Sequence, residues 1–522
     1  MALLAPLQHN FITSLEARFF PDTNCRKFYN TVKKYWLISN KKNTMLYRLI
    51  SNVQNSLPLG QLNEVLHNLS PAEKTETKMT DKLFFVPFLV KKPDNCKNEL
   101  KLRRKLKVPT IYGRHFYLRN GEYFKQIRNI EKLRQLDKPF TQTIYGIDAC
   151  NNEVNAPPEV FAYLFRKARH SSAIIPQFFG DTLSGAPKKL RITYHVGEDF
   201  FDIASGLRAI DEAILFLELS HGDRLGHALA LGIEPPDFYD LKNSRLFIPR
   251  QELLDNLAWL WHSMRKYGLF DSIVEAWIND NTGIHFQKLY RAEIPFSDSN
   301  HTISTHAYVN GWHLRGDHPK YYKNINEEKV YLRKIELQSR MTPWELLKTP
   351  HVKDIRNRDS QARQLMHLYH FNANIRLKGK EIVELDIPEG YVEIIRLLQN
   401  KMIANISNLG IGIETNPSSN YLIGTFRKYH KHPIVRFYDR WIKPNSTSPK
   451  AFVSINTDDL GVFDTDLENE YALMASALIN AKDEYGHSLY NESDIIRWLD
   501  DIRQMGLEQS FMLTHKYTTE GR

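Results

Sequence analysis

The residues of this sequence whose types and spacing could do chemistry are His195 and Glu198, Arg224 and His227, and the adjacent pair Asp458 and Asp459. Two further groups stand beside them, the run Asp148 to Glu153 (DACNNE) and Glu414. A neutral imidazole and a carboxylate are both suitable zinc ligands, and zinc lowers the pKa of a bound water to near neutrality. Glu198, three residues past His195, is close enough to such a centre to give or take a proton. His227 could steady the charge that develops. The chemistry suggested is metal-assisted hydrolysis. Taken singly these groups carry little, because a strand-end histidine is more often structural and paired aspartates more often a turn. Their shared placement carries more.

That placement follows from the elements around them. Ile192 to Val196 is a short run of residues that favour extended backbone, and it ends on His195, Gly197 and Glu198. A helix pattern follows, with Leu207, Ile210, Ile214 and Leu217 on one face and Gly222 past its end. A second short run then delivers Arg224, Gly226 and His227. The same reading gives strands at 144–148 (IYGID), 411–413 and 452–455, ending in Asp148, Glu414 and Asp458-Asp459. Residues 83–90 (LFFVPFLV) are continuous apolar, as in a strand buried on both faces. Helices are expected after Pro157-Pro158, over 391–406, and before the C-terminus with Ser493 as N-cap. NPSSN at 416–420 reads as a turn, since the residue before a proline is driven out of the helical region. Strands alternating with helices point to a parallel α/β sheet or a (β/α) barrel, in which all these strand ends meet at one rim.

Bulk properties narrow the class. At 522 residues the chain exceeds the usual size of one compact domain. No apolar run of 18 or more residues occurs, so a membrane-bound protein is not expected. Cys25, Cys96 and Cys150 are odd in number and lack CxxC spacing, which suits a reducing, cytoplasmic setting and no thiolate zinc site. A net charge of +10 favours anionic partners such as nucleotides or RNA. One dense cluster, Lys101 to Lys107 (KLRRKLK), has no RNA-binding module signature with it, so RNA as a partner rests on charge alone.

With these blocks in hand, HVGED (195–199), RLGHAL (224–229), ETNPSSNYLIG (414–424), SINTDD (454–459) and MGLEQSF (505–511) resemble the adenosine deaminase family, in that family's order. GIDACNNE (146–153) resembles its strand-four motif more loosely. The resemblance implies a (β/α)8 TIM barrel of the metal-dependent hydrolase type, binding Zn2+ and deaminating an adenine nucleoside or nucleotide hydrolytically. It implies His195 and Asp458 as zinc ligands, and Glu198 as the group that protonates the purine ring. His227 would orient the attacking water, Asp459 would hydrogen-bond the base, and Glu414 and Asn151 would stand at the substrate side. Residues 234–384 break the strand–helix alternation and read as an insertion between the sixth and seventh strands, a lid or an assembly surface. It divides the barrel into 1–233 and 385–522. The insertion further resembles the deaminase subunit of the bacterial RADAR antiphage system, which implies a homo-oligomer, a partner ATPase and phosphorylated substrates such as ATP or dATP. The alternative is a catalytically impaired, deaminase-like scaffold that works by assembly.

Two departures from the family's pattern bear on the site. Its metal centre also draws on a His-x-His pair on the first strand, whereas residues 1–80 here read mostly helical and contain no such pair. The one His-x-His, His430 to His432, lies between the ETNPSSN and SINTDD blocks and is not expected to bind metal. The expectation is therefore a barrel lacking its first strand, in which two ligands alone would hold zinc poorly. The second departure is Asn151, where the family usually has glycine. The insertion's His301, His306, His313 and His318 match no zinc spacing and are expected to be loop residues.

Overall fold

The structure, a computed structural model, describes residues 14–39, 83–94, 113–136, 141–178, 189–294, 305–323, 344–443 and 445–512. The strands are β1 (Leu15–Phe19), β2 (Leu83–Val90), β3 (Gly146–Cys150), β4 (Arg191–Val196), β5 (Arg224–His227), β6 (Arg245–Pro249), β7 (Ile382–Asp386), β8 (Gly412–Thr415) and β9 (Phe452–Ile455). The longer helices are α1 (Cys25–Ser39), α2 (Tyr123–Arg134), α3 (Ala162–Phe178), α4 (Ile203–Phe216), α5 (Arg250–Tyr267), α6 (Ser272–Tyr290), α7 (Thr305–His313), α8 (Ser360–Phe371) and α9 (Tyr391–Asn408). The short α10 (Pro417–Ile423) follows, then α11 (Leu467–Ile479) and α12 (Glu492–Glu508).

Seven strands form one sheet in the order β1-β2-β3-β4-β5-β8-β9, every pairing parallel. The sheet curls. Arg18 on β1 reaches Glu414 on β8 at 2.6 Å, and Ser14 Oγ lies 2.9 Å from Ser510 Oγ just past α12. This is the curvature of a (β/α) barrel carried over seven strands. No pairing joins β9 to β1 among the described residues.

Alternation along each strand separates the two faces. On β4, Tyr194 packs outward against Phe161 and Phe165, at ring distances of 6.0 and 5.8 Å. Thr193 and His195 point inward, Thr193 to Glu414 and His195 to Asp148. The outward face of the sheet and the inward faces of α2, α3, α4, α9 and α12 make one continuous apolar core. Burial on both faces explains why β2 reads as an unbroken apolar run.

The mostly helical reading of residues 1–80 is corrected at β1, while the GIDACNNE block expected at strand four lies on β3, so one strand fewer than a full barrel has precedes it among the described residues. β1 pairs in parallel with β2, Leu15 opposite Leu83 through Phe19 opposite Pro87. It alternates Leu, Glu, Ala, Arg, Phe, but its two charged side chains face the interior, the reverse of a half-buried strand. The expected helical run at Phe28 to Trp36 is α1, while Leu46 to Val53, Lys101 to Lys107 and His301 lie outside the described residues. NPSSN is likewise helical, with Pro417 in the first turn of α10. A proline is tolerated there because that N–H has no helical partner, and Asn416 before it stays non-helical at φ −130°. The N-cap of α12 is Asn491, whose side chain accepts from the Ser493 N–H, two residues before the expected cap.

β5 and β8 are neighbours in the sheet, so all the chain between them is an excursion from it. That excursion is mainly helical, and His306, His313 and His318 lie in or at the start of helices rather than in loops. A two-stranded antiparallel ribbon, β6 with β7, ties its two ends together. Its helices α5 to α8 bury Leu254, Phe286, Tyr290, Tyr308 and Leu365 among themselves. Charged anchors fix it to the sheet's helices. Arg166 on α3 donates to the carbonyls of Gly316 at 2.7 Å and Trp344 at 2.9 Å. Trp312 donates to Glu212 on α4 at 2.7 Å.

Candidate active site

The strand ends gather the expected residues at one rim. His195 comes from the end of β4, His227 from β5 and Asp458 from the turn after β9, and their donor atoms all lie within 4.8 Å of one another. Two backbone features allow this. Gly197 turns the chain at φ +78°, where a Cβ would also meet Ile210 Cδ1 at 2.6 Å. Gly226 is the register partner of His195, and its missing side chain leaves room for the imidazole.

Each donor is oriented by a second group. His195 Nδ1 faces Asp148 at 3.0–3.1 Å, which leaves Nε2 for a ligand. Asp458 accepts from Ser419 Oγ at 2.7 Å. His227 is 1 % exposed, and its Nδ1 is met by the Asn420 amide at 2.6 Å and the Asn416 amide at 3.3 Å. With those amides donating, the ring N–H sits on Nε2, which faces Asp458 at 4.0 Å. Asn420 is in turn held by His432, 3.2 Å from its Oδ1. His432 thus braces Asn420 from behind, and His430 sits on the adjacent short helix.

Electrostatics sort these groups into roles. Burial first, and the neighbouring His195 second, push His227 down to about 3, so it is a neutral ring. Burial works against charge on His195, but the Asp148 carboxylate prevails and raises it. Asp148 itself is held well below the usual carboxylate range, as His195 and Arg18 outweigh its burial. Glu198 goes the other way. Burial, reinforced by the Glu153 carboxylate, pushes it up to about 8. Its Oε1 lies 3.0 Å from His227 Nδ1 without hydrogen-bond geometry, a buried oxygen with no partner in the protein. Its backbone N–H donates to Glu153 Oε2 at 3.1 Å, and Glu153 is steadied by the buried Lys91, 3.7 Å away.

The remaining expected residues are arranged differently. Glu414 is 4 % exposed and its oxygens accept from Thr193 at 2.9 Å and Arg18 at 2.6 Å, with Arg224 Nε at 2.7 Å. Arg18 and Arg224 outweigh burial and hold it down to about 2. It stands behind the donor group rather than at its mouth. Asn151 sits at φ +85° on the exposed turn after β3, its Oδ1 engaged by the Asn152 N–H. Asp459 is exposed at the rim, and its carbonyl accepts from Val462 and Phe463. Sequence reasoning missed Glu16, Arg18, Lys91, Asn420 and Ser419 as parts of the site. The period-2 alternation of LEARF was the one signal for the first two.

His195 and Asp458 supply an imidazole and a carboxylate, donor types that suit a divalent ion such as Zn2+, with His227 beside them. Fold and site together define a parallel α/β protein of barrel curvature with a His/His/Asp centre at its strand ends. Residues 392–501 match the family model described as adenosine deaminase. The chain is 32% identical over 112 residues to an aminodeoxyfutalosine deaminase of Streptomyces coelicolor, covering 22% of this chain and 23% of that protein. It is 36% identical over 78 residues to an adenosine deaminase of Plasmodium gallinaceum, covering 15% and 19%. The aligned regions thus span about a fifth of the length of these curated relatives. Over these regions the chain is similar to the adenosine deaminase family.

Proposed function

We propose that this protein hydrolytically deaminates an adenine nucleoside or nucleotide to the inosine form with release of ammonia. The observation that supports it best is Glu198, a carboxyl raised to about 8 beside a His/His/Asp group, with one buried oxygen free of protein partners. At neutral pH it carries a proton it can give to a ring nitrogen. A zinc ion held by His195 and Asp458 would supply Lewis acidity that activates water for attack. His227, kept neutral and fixed by Asn420, directs its Nε2 edge toward that water. Asp459, exposed at the rim, would read the base edge, with Asn151 on the β3 side of the mouth. Glu414 supports the centre through Arg18, which it shares with Asp148.

Within this reading the setting is cytoplasmic and the role antiphage defence, as a homo-oligomer with a partner ATPase, and residues 234–384 form a lid or assembly surface. No helix among the described residues is long and apolar enough to cross a membrane. The test is ammonia release from adenosine, ATP and dATP with zinc-loaded protein. Turnover of at least one supports the reading; no ammonia from any of the three contradicts it. A second reading, the non-catalytic scaffold, draws on the seven-stranded sheet, which does not close among the described residues. It predicts no stoichiometric zinc.

A further inference from the structure

β1 meets the centre with two charged residues, and the pairs they make are specific. Arg18 bridges two carboxylates, Nη1 to Asp148 at 2.9 Å and Nη2 to Glu414 at 2.6 Å. Glu16 pairs with Arg18 Nε at 2.8 Å and with Arg224, and Arg224 Nε pairs with Glu414 at 2.7 Å. Two guanidinium groups and three carboxylates from β1, β3, β5 and β8 thus close into one lattice on the concave face. Asp148, with no exposed side-chain surface, is the point where this lattice touches the donor group, because it also faces His195 Nδ1.

We propose that β1 serves the centre by ion pairing, with Arg18 as a positioning residue that fixes Asp148 and, through it, the metal-facing edge of His195. The inference rests on the metal-centre reading above. A buried carboxylate between an arginine and an imidazole has one low-energy orientation while both partners remain. When the guanidinium goes, Asp148 keeps only His195 and can rotate, and the ring it orients loses its fixed angle. Arg224 makes the informative contrast. It neutralises Glu414 and Glu16 in the same lattice but makes no ion pair with Asp148.

The test is the affinity for Zn2+, and for Co2+ with its visible absorption, measured by competition with a chromophoric chelator. The variants are Arg18→Met, Asp148→Asn, their double, and Arg224→Met. Loss of an outer partner of a metal-binding histidine costs about 10–100-fold in affinity. Arg18→Met and Asp148→Asn are each expected to show that loss with an altered Co2+ spectrum. The double is expected to be no weaker than the worse single, because both act on one path. Arg224→Met is expected to lower thermal stability while leaving the spectrum unchanged. Should Arg18→Met not fold, Arg18→Gln, which keeps a donor beside Asp148 but not the charge, takes its place. Wild-type affinity in the folded Arg18 variant, or full additivity with Asp148→Asn, overturns the proposal and leaves the metal centre standing. A wild-type protein that binds neither ion overturns the centre and this role together.

Discussion

Gly226→Ala isolates the geometry of the centre from its chemistry. A Cβ on residue 226 would lie 3.1 Å from the Cα, the Cγ and the Nδ1 of His195. Ordinary contact begins near 3.4 Å, so the imidazole must give way by a few tenths of an ångström. It is pinned from the other side by Asp148 at 3.0 Å, so the displacement goes into the Nε2 that faces the donor group. Metal–ligand distances tolerate only about 0.2 Å. The expected result is a loss of about tenfold or more in Zn2+ affinity, with a stability cost of only about 1–3 kcal/mol from overpacking. Chelator competition reads the first and urea unfolding of the metal-free protein the second. Gly506→Ala is the control, since in helix α12 its new methyl would meet only Ser454 Cβ at an ordinary 3.5 Å. It should stabilise by roughly 0.5–1 kcal/mol and leave metal binding unchanged. Unaltered Zn2+ affinity in Gly226→Ala would refute the claim that His195 is a donor held in a tight seat.

The other predictions address anchoring and pH. Asp255→Ala leaves Arg315 buried without its partner, which it meets at 2.6 and 2.7 Å, and should cost about 3–5 kcal/mol in a urea titration; a cost under 1 kcal/mol would mean the pair is not what holds the excursion's own helices together. Burial lowers His115 to about 4 and His313 and His432 to about 3, so the folded state keeps them neutral while the unfolded chain titrates near 6.5. The unfolded chain then binds more protons as pH falls from 6.5 toward 4, and stability present above that window is lost within it, by up to about 1.4 kcal/mol per pH unit for each histidine. Denaturant midpoints that stay flat from pH 7 to 5 would contradict this. With Glu198 at about 8, its protonated form exceeds the ionised one by about ten to one at pH 7; kcat for deamination should fall above pH 8, and a rate that rises through pH 9 speaks against Glu198 as the acid.

Much of this site was legible because strand ends announce themselves. β2 and β9 fall at the expected residues, and β4 and β8 within one or two, since apolar runs ending in Gly, Glu or Asp leave little choice of boundary. What was not legible depends on contacts between residues far apart in the chain. LEARF reads as non-strand because its charges face inward, and they can do so only because Asp148, Arg224 and Glu414 come to meet them across the curl. The same holds for Asn420, which sits in a segment that reads as a turn until α10 brings its amide to His227. The helical excursion escaped alternation analysis because its helices pack on each other as well as on the sheet, so their apolar stripes are broad and interrupted by buried pairs such as Asp255 with Arg315.

The most direct test of the account compares zinc-loaded wild type with Glu198→Gln, measuring bound zinc and ammonia release from adenosine, ATP and dATP in the same preparations. The account predicts near-stoichiometric zinc in both proteins and ammonia release that falls by about 10²–10⁴ in the variant. Equal release from the two proteins, or no bound zinc in the wild type, would contradict it.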